Sequence, residues 1–176
     1  MIETHPFGDF VPKNAKFLIL GSFTGRQAVI GSAAVDPAYD WYYGTKRNQF
    51  WPILESVYGK KFPDKKSRQE LFTKLGIAMA DMIRQCERSE NNNMDSNLIN
   101  VVFNKSGIHS ILEHNNIEKI FFSSKFVENQ FRKNFKELIN QYPQVELITL
   151  PSPSPRYALL SRDEKVKRYR NILPII

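Results

Sequence analysis

The amino-acid sequence predicts an α/β fold in which helices cover both faces of a parallel sheet. Four short apolar runs recur, at residues 17–21, 77–82, 117–123 and 145–150. Segments with helical spacing of apolar residues lie between them. Strands thus alternate with helices, the order that right-handed crossovers in a parallel sheet produce. Length and composition agree: 176 residues, 41% hydrophobic and 24% charged, fit one globular domain over residues 1–176 with a sizeable core. They exclude a disordered chain, a collagen and a coiled coil.

Taken in order, Phe17-Leu-Ile-Leu-Gly21 reads as a buried strand. A Gly- and Ala-rich loop spans residues 21–40, a length that often marks function. Residues 48–58 read as a helix with Phe50, Trp51, Leu54, Val57 and Tyr58 inward, Pro52 in its first turn and Gly59 as its stop. A basic connector leads to a helix over residues 67–75, ended by Gly76, and to the second strand, residues 77–82. Residues 87–97 read as a polar loop, and 104–114 as a helix burying Ile108, Ile111 and Leu112. After the third strand, one helix is expected over residues 125–141, with Phe126, Phe131, Phe135 and Leu138 on one side. The fourth strand runs into Pro151-Ser-Pro-Ser-Pro155, an extended turn. Residues 163–173 form a final, basic helix.

In such sheets ligands sit beyond the carboxyl ends of the strands, so the loops after Gly21, Phe122 and Leu150 share the expected site. Gly21-Ser-Phe-Thr-Gly25 is either a tight turn or a place where backbone N–H groups approach a ligand. It is neither a Walker loop nor a dinucleotide fingerprint. Tyr42 to Trp51 (YYGTKRNQFW) combines aromatic rings that can stack on bases with cations that can hold phosphates. Within it Asn48 can cap the following helix, orient a water, or do both. The Pro–Ser segment is a rigid connector or a grip on a nucleic-acid backbone. Asp81 ends the second strand and can orient a loop backbone.

The net charge of +7 and a pI near 9.5 favour a polyanionic partner, with nucleic acid first. Arg156, Arg162, Lys165, Lys167, Arg168 and Arg170 cluster at the chain's end, as a solvated helix or as part of that interface. A single cysteine, Cys86, allows no intramolecular disulfide and reads as a structural thiol. His5, His109 and His114 lack metal-ligand spacing. The N-terminus shows no signal-peptide pattern and no run is long enough for a membrane helix, so a cytoplasmic protein is expected.

These pieces in this order resemble the uracil-DNA glycosylase superfamily, and most of all its hypoxanthine-DNA (deoxyinosine) glycosylase branch. The resemblance rests on LILGSFTG, YYGTKRNQFWPIL, GIAMADMIRQCERS with MDSNL, KIFFSS and LPSPSPRYA, from about Lys16 to the C-terminus. It implies a three-layer α/β/α sandwich around a four-stranded parallel sheet. It also implies a monomeric enzyme that needs no metal or cofactor, flips a deaminated base out of DNA and hydrolyses the N-glycosidic bond. Hypoxanthine is favoured, with uracil or xanthine possible. By motif, Asn48 matches the catalytic asparagine and Tyr43 the aromatic that stacks on the flipped base. Gly21, Ser22 and Phe23 match the backbone lining the pocket, and Ser123 the base-reading position. Lys46 and Pro151, Ser152, Pro153, Ser154, Pro155, Arg156 and Tyr157 match the DNA-contacting segments.

Three positions in the motifs depart from the wider superfamily: the first motif, the start of the last, and the base-reading residue. The first motif offers Ser22, Phe23 and Thr24 where many members carry Asp or Asn, and the last begins with Leu150 instead of His or Asn. Both argue against efficient uracil excision. Ser123 stands where an asparagine would read the base, and one hydroxyl cannot form the bidentate pair an amide can. Two rival readings follow: a nucleic-acid-binding protein that keeps the fold without the chemistry, and a small-molecule nucleotide enzyme.

Overall fold

The computed structural model describes residues 1–25 and 41–176; most of the loop expected over residues 21–40 lies outside the described residues. The chain order is β1 (Glu3–Thr4), β2 (Phe17–Gly21), α1 (Phe50–Tyr58), α2 (Lys65–Leu75), β3 (Ile77–Asp81), β4 (Ile83–Arg88) and β5 (Leu98–Phe103). It continues with α3 (Lys105–His114), β6 (Lys119–Phe122), α4 (Lys125–Asn134), α5 (Lys136–Gln141), β7 (Glu146–Thr149) and α6 (Arg162–Ile172).

The four strands read from the apolar runs form one parallel sheet in the order β3-β2-β6-β7. Alternation of side chains across a strand then builds two cores. Leu18, Leu20, Ala80, Ile120 and Phe122 pack on one face against Ile108 and Ile111 of α3 and Val127 and Phe131 of α4. Ile19, Ile77, Met79 and Phe121 pack on the other against Phe50 and Leu54 of α1, Phe72 of α2 and Tyr169 of α6. Helices cover both faces of the sheet, as the alternation predicts.

Two expectations need correction. Residues on either side of the predicted polar loop form β4 and β5, which with β1 make a three-stranded antiparallel sheet. Bulges between Ile83 and Gln85 and between Gln85 and Glu87 break the period of two that would have betrayed β4. The single helix expected over residues 125–141 is two. Phe135 leaves helical geometry (φ −122°, ψ 31°) and its ring stacks on Phe131 at 4.8 Å. Phe126, expected inward, is 36% exposed, and Val127 takes its place in the core.

Topology places the site. Gly21 pairs in register with Asp81, the Ser123 amide donates to Leu20 O, and the Leu150 amide donates to Phe122 O. The loops after Gly21, Phe122 and Leu150 therefore leave one edge of the sheet.

Candidate active site

Gly21 lies under two polar side chains. A Cβ there would run into the Asp81 carboxylate and the Tyr43 hydroxyl, so the position requires glycine. Tyr43 reaches it from a turn in which the Gly44 amide donates to Trp41 O at 3.2 Å. Its φ of +56° is left-handed, a conformation uncommon for an aromatic residue and frequent at functional sites. The Tyr43 ring stacks on Phe50 at 4.2 Å and 25°. Its hydroxyl is buried and makes no hydrogen bond of good geometry among the described residues. Burial, and then the Asp81 charge, push the phenol well above its ordinary pKa, while the nearby Ser123 side chain acts in the opposite sense. Ser123 is itself buried.

Asp81 is held by a histidine from the other end of the sequence. His5 Nε2 lies 2.8 Å from Asp81 Oδ2, and its Nδ1 lies 2.7 Å from Phe7 O. Nδ1 also lies 3.2 Å from the Phe7 amide, so that nitrogen faces a donor as well as an acceptor, and the Asp81 carboxylate is the partner that favours the charged ring. Burial opposes that charge, but the hydrogen bond and charge of Asp81 outweigh it, and the His5 pKa is raised. The rings of Phe7, Phe23 and Tyr42 stand 5.3 to 5.7 Å from the imidazole. Behind the pair, Asn104 Nδ2 donates to Asp9 Oδ1 at 2.9 Å. Burial raises the Asp9 pKa, and Asn104 Oδ1 is buried without a partner among the described residues.

A second carboxylate meets the residue after Gly21. Ser22 Oγ donates to Asp95 Oδ1 at 2.5 Å. Asp95 opens the single 3₁₀ turn between β4 and β5. Burial raises its pKa, the Ser22 bond lowers it, and the Asp81 charge raises it further. Arg88 braces this loop: its guanidinium donates to Thr24 O at 2.7 Å and to Glu3 Oε2 at 3.1 Å, and it lies over the Phe23 ring.

Asn48 sits just before α1. Its Oδ1 accepts the Phe50 amide at 2.9 Å, so it satisfies a free helix donor, although by backbone geometry the cap residue is Gln49. An amide oxygen has two lone pairs, so Oδ1 can accept a second hydrogen bond, and the Nδ2 group can still donate. The next amide, of Gln49, donates to Pro153 O at 2.9 Å. Asn48 and the Pro–Ser segment thus form one continuous rim. Tyr169 Oη of α6 donates to Pro151 O at 2.9 Å and anchors the segment from below. Lys46, Arg47, Pro155 and Arg156 are exposed, Tyr157 is half-buried, and Leu159 is 83% exposed.

The structure brings Gly21, Ser22, Tyr43 and Ser123 together, and joins Asn48 to residues 151–157. The sequence reading did not find His5 or Asp95 as site residues. The sequence around His5 carries no motif, and topology alone brings it across 76 positions to Asp81. Asp95 had a signal in the MDSNL motif. Among the described residues no group of three or more His, Cys, Asp or Glu side chains is arranged to hold a metal ion. A cavity of about 280 Å³ lined by Leu112, Ile120 and Phe131, and one of about 200 Å³ lined by Pro52, Lys60 and Arg162, include none of the site residues.

No protein-family profile and no curated protein matches the chain. Among solved structures it is similar to a candidate uracil DNA glycosylase from Methanosarcina acetivorans, solved by solution NMR. The two share 21% identity and superpose with a TM-score of 0.67, over 97% of this chain and 98% of the other. The fold is therefore that of this candidate glycosylase: a four-stranded parallel sheet between helices.

Proposed function

We propose that this protein is a monofunctional DNA N-glycosylase that extrudes a deaminated base, hypoxanthine before uracil or xanthine, and hydrolyses its N-glycosidic bond. The observation that carries the reading is the grouping of Gly21, Ser22, Tyr43, Asp81 and Asp95 at one sheet edge, on the fold of a candidate glycosylase. Hydrolysis of the bond joining base to sugar passes through an oxocarbenium-like state. The site must hold a water, favour positive charge on the sugar and accept negative charge on the departing base. Asn48 Oδ1 orients the water with its remaining lone pair. Asp81 and Asp95 supply the negative field. Tyr43 stacks, the backbone of Gly21, Ser22 and Phe23 meets the base carbonyl, and Ser123 contacts the base edge.

Lys46, Arg156 and Tyr157 contact the DNA with Pro151, Ser152, Pro153, Ser154 and Pro155. Exposed Leu159 is an apolar wedge beside them. Extrusion from a duplex is easiest for a base that already pairs poorly, which suits a deaminated one.

Duplexes containing hypoxanthine, uracil or xanthine, incubated with the protein and then cleaved at abasic sites, test this directly. Asn48→Ala is expected to slow excision about 100-fold or more, the usual worth of one positioned catalytic group, with DNA affinity within a few-fold of wild type. An unchanged rate removes Asn48 from the mechanism. The Tyr43 hydroxyl packed over Gly21 favours a second reading, a DNA-binding protein without activity. It predicts salt-sensitive binding and no abasic product.

A further inference from the structure

Lys165 is 1% exposed and lies in the first turn of α6. Both placements are unfavourable. A buried ammonium loses its hydration, and a cation near a helix N-terminus opposes the helix dipole. Burial holds its pKa below the ordinary lysine value. Among the described residues no carboxylate lies within ion-pairing distance of it, and Glu164, its neighbour, is engaged in the helix cap with Ser161. Three neutral groups meet the ammonium: Gln49 Oε1 at 3.0 Å, Ser154 O at 3.1 Å and the Tyr157 ring at 5.4 Å.

Those groups come from two segments that the chain separates by about a hundred residues. Gln49 follows Asn48; Ser154 and Tyr157 belong to the Pro–Ser loop. An apolar side chain could fill the same space without the desolvation cost, so stability alone does not explain a lysine here. A fixed positive charge beneath a rim that already exposes Lys46, Arg47 and Arg156 suits an anion lying across that rim.

We propose that Lys165 is a positioning residue: it ties the Pro–Ser loop to the Asn48 segment in the shape that receives a DNA strand, and a phosphate of that strand complements its charge. The assignment rests on the reading of the protein as a DNA glycosylase.

Two variants separate tie from charge. Lys165→Met removes both, and Gln49→Glu keeps the tie while neutralising the charge. Amide hydrogen exchange is measured without DNA, and affinity and excision with a hypoxanthine duplex. Lys165→Met is expected to exchange the Gln49 and Tyr157 amides about tenfold faster and to weaken DNA binding about tenfold, the worth of one hydrogen bond to a charged group. KM should rise more than kcat falls. Gln49→Glu should exchange like wild type yet bind DNA more weakly. Wild-type exchange in Lys165→Met overturns the tie, and wild-type affinity in Gln49→Glu overturns the charge. If Lys165→Met does not fold, Gln49→Met tests the tie by the same exchange. If the wild-type protein binds no DNA, the glycosylase reading and the charge role fall together, while exchange still decides the tie.

Discussion

Asp81 and Glu128 are both buried carboxylates near the carboxyl edge of the same sheet, and their surroundings differ in kind. Glu128, in the first turn of α4, accepts from Lys125, Arg132 and the Thr149 hydroxyl at the end of β7. Burial opposes its charge, but these donors pull its pKa down to about 2. On the β2–β3 side, Asp81 shares its neighbourhood with a buried phenol and a buried amide oxygen that lack partners among the described residues, and with Asp9 and Asp95, both raised by burial. Native proteins rarely tolerate so many unmet polar groups in one place unless the place has a task. The β7 end satisfies its carboxylate fully, whereas the β2–β3 end leaves polar groups unmet, as the proposed catalytic role would require.

The sharpest way to break this contrast is Gly21→Ala. The added methyl has no room between Asp81 and Tyr43. Overpacking of this sort costs about 1–3 kcal/mol, and excision should fall below detection because the strand end must shift. A chemical-melt midpoint and an excision assay on the same preparation check both. Normal activity would show that this edge is not the site.

Glu128→Gln should do the opposite, costing about 1–2 kcal/mol of stability with little change in excision rate. The pH dependence sharpens it. A carboxylate with a depressed native pKa stabilises above its unfolded value, and that share is lost as pH falls from about 4.5 towards 2. His5 runs the other way. Its native pKa is raised, so its share is present below 6.5 and lost as pH rises through the higher native value. Urea melts across pH should show both arms, with Glu128→Gln flattening the acid arm and His5→Gln the alkaline one.

The smallest effect expected is that of Tyr43→Phe. Removing a buried hydroxyl that makes no hydrogen bond of good geometry among the described residues should leave stability unchanged or raise it by up to about 1 kcal/mol. Base stacking should persist. A clear loss of stability would show that the hydroxyl is satisfied.

The same contrast explains what could be read from the chain. The parallel strands were legible because burial on both faces writes them as near-continuous apolar runs. Gly21, Asn48 and residues 151–155 were legible because glycine, a cap-forming amide and alternating prolines punctuate a sequence locally. β4 and β5 were not, since bulges disturb their alternation. His5, Asp95 and Lys165 matter through partners that are distant in sequence, and no local pattern announces such a meeting. The helix break at Phe135 was hidden because its ring still belongs to the core.

Met82 is the single residue between β3 and β4. Its amide donates to Gly21 O, and its carbonyl accepts from Asn104. β3 of the inner sheet and β4 of the outer one are therefore two stretches of one nearly unbroken run, and Asp81 stands at the splice. The hairpin is thus tied to the site twice, along the backbone to Asp81 and through the Met82 and Ile83 amides to Gly21 and Ser22.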